Sequence, residues 1–277
     1  MKISEVKSKS ILVKSNLPAS DYVANPYTGC THKCLYCYAS FMKRFTGHDD
    51  EWGTFIDIKN YESEKLPKNL SGKVVLLSSV TDPYNPYEVK YHKSRDVLEK
   101  LVSTDAYVEI LSKSDLMVND IDLLKRFRHL KVGISLCTLD DVFRYDMEPG
   151  APSVERRINA LKKLHDAGIS TYLMMSPIFP RITDVQALIE AVKGSVDMVC
   201  FENLNLRGGA KKVILDYVKS KYPQYYEEYD RIYNKNDISF WEKLEKEIEE
   251  TGKSYDIQFV NYFYHAKIRK NSGENHG

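Results

Sequence analysis

The sequence lacks most of the features that would place it in a membrane or on a polyanion. Its longest apolar runs, such as VDMVCF at 196–201 and KVVLL at 73–77, are strand-length and too short to span a bilayer. The opening stretch MKISEVKSKSILVKSN has neither the apolar core nor the small-residue cleavage site of a secretory signal. A cytoplasmic protein with no membrane partner is therefore expected. Lys and Arg number 40 against 39 Asp and Glu, a net charge of +1, so bulk charge does not demand nucleic acid. A nucleic-acid partner stays possible only through a local basic patch. There is no GxGxxG fingerprint and no P-loop, which excludes those two nucleotide cradles. The five cysteines are an odd number and three are clustered, which argues against a disulfide framework and for metal or redox use.

The chain does have a rhythm. Strand-like segments at 73–79, 106–113, 131–138, 170–177 and 196–204 alternate with helix-like segments at 92–103, 115–127, 153–168 and 184–194. The helix at 153–168 is the best signalled: Ser153 can cap it, Glu155 lies in its first turn and Gly168 ends it. Short apolar strands between amphipathic helices predict an α/β fold with a parallel sheet, either open or curled into a barrel. After Arg207 the pattern turns helical, then a strand-like YDIQFVNYFY at 255–264 precedes a tail. With 277 residues and no linker or repeat, one domain with a C-terminal extension is expected: a core at 1–207 and an extension at 208–277.

The stretch NPYTGCTHKCLYCYASFMKRF at 25–45 carries the chemistry. Cys30, Cys34 and Cys37 stand in a C-x3-C-x2-C spacing. A structural zinc site takes four protein ligands, and no second C-x2-C exists. His32, two residues from each neighbouring thiol, is poorly placed to complete a tetrahedron. A redox pair would use Cys34 and Cys37 and leave Cys30 unexplained. A [4Fe-4S] cluster held by three thiolates uses all three and leaves one iron open. The spacing alone also leaves room for a non-catalytic iron–sulfur or zinc protein that senses or binds.

The stretch resembles the signature of the radical S-adenosylmethionine (SAM) superfamily, including the aromatic Tyr36 just before the last cysteine. The resemblance implies that the open iron binds SAM. Reductive cleavage of SAM then gives a 5′-deoxyadenosyl radical, which abstracts hydrogen from a substrate. It also implies a reducing partner such as flavodoxin or ferredoxin. The segments SSVTDPYNPYE at 78–88, EPGAPSVERRINALKKLHDAGI at 148–169 and MMSPIFPRITD at 174–184 are similar to the spore photoproduct lyase-like branch. That branch implies a partial (β/α)6 barrel with its active site at the C-terminal ends of the strands, where βα loops also converge on geometric grounds.

Roles follow residue by residue. The resemblance places Tyr36 near the SAM adenine and Ser79, Thr81 and Asp82 near its amino group. Lys113 and Ser135 fall where the branch contacts SAM, and Tyr38 matches a tyrosine of the lyase's radical-return path. Ser79 stands where the photoproduct lyase carries a cysteine hydrogen donor. The alkyl O–H bond of serine is much stronger than an S–H bond and donates hydrogen to a carbon radical poorly, so photoproduct lyase activity itself is not expected. Cys137, two residues after Ser135, would share its face on a continuous strand and so become a substitute donor, with a small buried residue as the alternative. Cys200 shares a face with Glu202 in the same way. Glu202, Asn203, Asn205 and Arg207 end the last core strand, and Lys211–Lys221 reads as a solvated helix face. The substrate is left open between a nucleic-acid base, a peptide and a small metabolite.

Overall fold

The computed structural model describes residues 1–206 and 208–263. Arg207, Tyr264 and the tail after it lie outside these. Eleven strands are described: β1 Lys2–Ser8, β2 Val13–Lys14, β3 Tyr22–Ala24, β4 Tyr27–Thr28, β5 Phe55–Tyr61, β6 Val74–Leu77, β7 Tyr107–Ser112, β8 Leu130–Ser135, β9 Thr171–Ile178, β10 Met198–Asn203 and β11 Gln258–Asn261. Eight of them form one sheet in the order β11-β10-β9-β8-β7-β6-β3-β2. All neighbours run parallel except the β2–β3 pair. The expected α/β alternation is therefore present, and the 255–264 segment supplies β11 beside β10. Among the described residues the sheet is open, with β2 and β11 at its edges.

A second sheet was not legible in the sequence. β1 pairs in parallel with β5, and β4 pairs antiparallel with β5. Its small core is Tyr27, Ile56 and Ile58.

Pairing register and alternation divide the large sheet into two faces. Val75, Leu77, Val108, Ile110, Val132, Ile134, Leu173, Met175, Val199 and Phe201 belong to the main core. The helices pack there. In α1 (Glu88–Tyr91) and α2 (Lys93–Leu101), the latter buries Ser94, Val97, Leu98 and Leu101, one stripe of a 3.6-residue period. α3 (Ile121–Leu124) and α4 (Asp141–Met147) lead to α5 (Val154–Asp166), which buries Val154, Arg157, Ala160, Leu161 and Leu164. Each such aliphatic side chain contributes about 1.5–3 kcal/mol of transfer free energy. The Ser153 hydroxyl accepts from the Arg156 N–H and Gly168 takes φ +78°, so both ends of α5 are as the sequence predicts.

The 115–127 segment corrects the reading of one helix. It is a 3₁₀ turn at Asp115–Asp120 followed by the single turn α3. Asp120 leaves helical geometry (φ −105°, ψ 12°) while its carboxylate receives Tyr84 and Arg95. Beyond β9, α6 (Val185–Val192), α7 (Gly209–Lys221), α8 (Tyr226–Asn234) and α9 (Ser239–Gly252) cover the rest.

The other face of the sheet is layered. Glu109 and Lys131 lie in register at one level, then Leu111, Gly133, Tyr172 and Met198, then Ser135, Met174 and Cys200, with Ser176 and Glu202 beyond them toward the C-terminal ends. The Tyr172 hydroxyl donates to Glu109 Oε1 at 2.9 Å, and its ring fills the space above Gly133. A Cβ on Gly133 would lie 2.2 Å from that ring, so only glycine fits there. Tyr172 thus plugs the lower part of this face, and a cavity opens beyond it toward Ser135, Ser176 and Glu202.

Candidate active site

The cysteine loop runs from Gly29 into a 3₁₀ turn at Tyr38–Phe45. Gly29 takes φ +88°, and a Cβ there would meet the Phe55 carbonyl at 2.4 Å. The Cys37 N–H donates to the Cys34 carbonyl, which makes the C-x2-C half a tight turn. The loop is zipped to the segment after α4. The Leu35 N–H donates to the Met147 carbonyl at 2.9 Å and the Gly150 N–H to the His32 carbonyl at 2.9 Å. His32 Nδ1 lies 3.1 Å from the Gly150 carbonyl, and its Nε2 lies 3.0 Å from Asp82 Oδ2. His32 is buried, and both ring nitrogens already face protein acceptors. His32, the side chain weighed as a fourth ligand, therefore faces other partners.

Cys30, Cys34 and Cys37 are free thiols lining a cavity of about 500 Å³ at the C-terminal ends of β6–β10. Burial, then the Asp82 charge, pushes Cys30 up to about 12. Burial raises Cys34 and Cys37 as well. Such thiols become thiolate ligands only beside strong positive charge, which an iron centre provides.

The predicted site residues converge on the same cavity: Tyr36, Tyr38, Ser79, Thr81, Asp82, Lys113 and Ser135 all line it. Lys113 Nζ donates to Ser135 Oγ at 2.7 Å, and Ser135 Oγ donates to the Ser176 carbonyl at 3.1 Å. The Tyr36 ring packs edge-on against Phe179, with centroids 5.6 Å apart. The Thr81 hydroxyl donates to the Gly29 carbonyl, and the Tyr38 hydroxyl to the Ser79 carbonyl. Tyr38 is 67% exposed and so sits at the rim. Asp82 is more deeply tied in than the sequence suggests. Its carboxylate receives Ser112 Oγ at 2.5 Å, the Tyr84 N–H at 2.9 Å and the Lys113 N–H at 2.8 Å, besides His32. Burial alone would raise its pKa, but His32 and these donors hold it down to about 2. The turn role toward Tyr84 is thus real alongside the cavity position.

Cys137 is placed differently from expectation. β8 ends at Ser135, so the strand alternation that would carry Cys137 to the same face stops before it. Cys137 is fully buried, outside the cavity lining, with Sγ 3.7 Å from Glu148 Oε1. Cys200 is packed with Tyr172 and Met198. Glu202 and Asn205 line the cavity, Glu202 accepting from Ser176 Oγ, whereas Asn203 does not, and Arg207 lies outside the described residues. On α7, Lys211 Nζ donates to the Tyr233 carbonyl and Lys212 pairs with Asp216, so these lysines serve local structure.

Two residues escaped the sequence reading. Glu148 is fully buried, accepts from the Tyr36 hydroxyl, lies 3.7 Å from Lys113 Nζ and pairs with Arg157 Nη2 at 2.5 Å. Burial opposes its ionisation, but Arg157, Lys113 and Tyr36 bring it down to about 2. The available signal was Arg157 itself, a guanidinium on the apolar stripe of α5.

A parallel sheet whose strand ends open on a cavity lined by three thiols, a lysine and several hydroxyls fits a class of protein that holds a metal cluster beside a small-molecule cofactor. Residues 24–192 match the family model of the Radical SAM superfamily, and the chain belongs to that superfamily. Its cofactors are accordingly a [4Fe-4S] cluster and SAM. An uncharacterised protein of Methanocaldococcus jannaschii is 36% identical over 232 residues, covering 82% of this chain and 86% of that protein. Spore photoproduct lyase complexed with dinucleoside spore photoproduct has the same fold (TM-score 0.55, 18% identity), covering 77% of this chain and 64% of the lyase. SuiB of Streptococcus suis, bound to its precursor peptide SuiA, is also similar (TM-score 0.54, 14% identity), covering 89% of this chain and 49% of SuiB. No helix among the described residues is long and apolar enough to cross a membrane.

Proposed function

We propose that the protein is a radical SAM enzyme of the lyase-like branch that abstracts hydrogen from a nucleobase presented at the cavity rim. The observation that carries the enzymatic reading is that the three thiols and the Lys113–Ser135 pair line one cavity. When bound, the cluster and SAM supply reductive cleavage of SAM to methionine and a 5′-deoxyadenosyl radical, with the electron coming from a flavodoxin or ferredoxin.

In this reading the sheet acts as an open (β/α)6 barrel plugged below by Tyr172, with 208–277 as an extension. Cys30, Cys34 and Cys37 hold the cluster, and Tyr36 backs the adenine. Lys113 and Ser135 orient SAM through the Nζ–Oγ pair. Ser79 and Thr81 face its amino group, and Asp82 keeps the Lys113 backbone and His32 in place beside it. Tyr38 is the favoured group for returning hydrogen, because its ring lies at the rim while Cys137 is enclosed.

A nucleobase is supported by two features. Tyr38 offers an exposed ring on which a base can stack, and the structurally similar lyase was solved with a dinucleoside bound. Single-stranded oligonucleotides deuterated on the bases test this. Deuterium should appear in the released 5′-deoxyadenosine. Enrichment from deuterated peptides but from no nucleoside or oligonucleotide would transfer the assignment to a peptide substrate.

A further inference from the structure

An extended buried polar arrangement lies beside the cavity. Glu148 has no exposed surface. One carboxylate oxygen, Oε2, takes the Arg157 guanidinium at 2.5 Å. The other, Oε1, accepts from the Tyr36 hydroxyl and lies 3.7 Å from both Lys113 Nζ and Cys137 Sγ. Arg157 is itself anchored, donating to the Ser135 carbonyl at 3.0 Å and the Pro152 carbonyl at 3.0 Å. Arg157 is as fully buried as Glu148.

Fold stability alone does not call for this arrangement. Taking a carboxylate and a guanidinium out of water costs several kcal/mol each, and apolar side chains of similar volume often do as well. What apolar residues cannot do is hold two cavity groups from separate elements at once. Tyr36 comes from the cysteine loop. Lys113 follows β7. Ser135, which Lys113 reaches at 2.7 Å, ends β8. Glu148 touches the first two and, through Arg157, the backbone of the third. The same residue begins the Glu148–Gly150 segment that is hydrogen-bonded to the cysteine loop.

We infer that Glu148 is a positioning residue: its carboxylate fixes Tyr36 and Lys113 relative to one another, and so sets SAM affinity without touching SAM. This rests on the proposed reading that Tyr36 and Lys113 face SAM.

Glu148→Asp tests it in the anaerobically reconstituted full chain, because it keeps the charge for Arg157 but withdraws the oxygens by one methylene. The readouts are SAM affinity, the change in the electron paramagnetic resonance of the reduced cluster on adding SAM, iron per chain and the thermal midpoint. The expected result is SAM binding weakened about tenfold or more and a diminished SAM-dependent spectral change, with iron content and midpoint close to the parent. Unchanged SAM affinity overturns the inference. So does a loss of SAM binding that only accompanies a loss of iron and a collapsed midpoint, the mark of a purely structural residue. If that variant does not fold, Tyr36→Phe leaves the Glu148–Arg157 pair whole and cuts only its tie to the cysteine loop. It must then weaken SAM binding in the same direction, and parental affinity in it overturns the inference. Lys113→Met separates the two layers of the argument. If it leaves SAM affinity unchanged, the reading of Lys113 itself fails. If it weakens SAM while Glu148→Asp does not, only the positioning role of Glu148 falls.

Discussion

Gly150→Ala should detach the cysteine loop from its support. A Cβ built on Gly150 would lie 2.1 Å from the Thr31 carbonyl oxygen and 2.9 Å from the His32 Cα. Both are backbone atoms, so no flexible side chain can swing aside. The two segments must part by about 0.9 Å to reach the 3.0 Å below which real Cβ contacts are essentially never found. The Gly150–His32 and Leu35–Met147 hydrogen bonds, both 2.9 Å, stretch together with the His32 ring contact. Overpacking costs about 1–3 kcal/mol and each lost hydrogen bond about 1 kcal/mol, so a total near 3 kcal/mol is expected. That is a large share of the 5–15 kcal/mol typical of a folded domain. Denaturant unfolding of the iron-free protein measures the cost, and iron per chain after anaerobic reconstitution reports whether the loop still gathers its thiols. Parental stability together with parental iron content would refute the reasoning.

Gly133→Ala should destabilise by about 1–3 kcal/mol, because the new methyl drives the Tyr172 ring off its site and strains its bond to Glu109; a thermal melt reads this. Lys113→Met removes the donor to Ser135 while leaving Arg157 on Glu148, so SAM affinity by calorimetry should fall about tenfold while the fold persists. The iron-free protein should lose stability on acidification. Glu148 and Asp82 are held down to about 2 in the folded state, below ordinary carboxylates at about 4.5 and 3.8. A depressed folded pKa stabilises above the unfolded value and loses that contribution as pH falls through the folded one. Unfolding free energy should therefore decline from about pH 4.5 toward pH 2, and a flat profile there would contradict the burial and pairing described.

Much of this site could be read before the fold was known, and the reasons are local. The cysteine spacing, the capped helix at 153–168 and the strands at 73–79, 106–113 and 170–177 are set by neighbours in the chain. Lys113 and Ser135 were singled out by the family resemblance, since a lysine after one strand and a serine within another carry no signal of their own. The parts that were not legible depend on long-range pairing. β1 recognises β5 across about fifty residues, and its exposed alternating pattern gives little apolar signal. Glu148 looks like an ordinary surface charge until the fold buries it, and Arg157, though on the apolar stripe of α5, has no visible partner until Glu148 is beside it. Of the two readings of Cys137, the buried residue matches the structure, and the shared face with Ser135 does not, because alternation was carried past the end of β8. The surroundings of His32, with its ring nitrogens facing Gly150 and Asp82, are visible only once the fold brings those residues beside it.

The most direct test of the account is anaerobic reconstitution with iron and sulfide, reduction, and addition of SAM. The account predicts four irons per chain and release of 5′-deoxyadenosine and methionine, with both iron and product lost in Cys34→Ala. A protein that takes up one zinc ion, forms no iron–sulfur cluster and leaves SAM intact under reduction would contradict it.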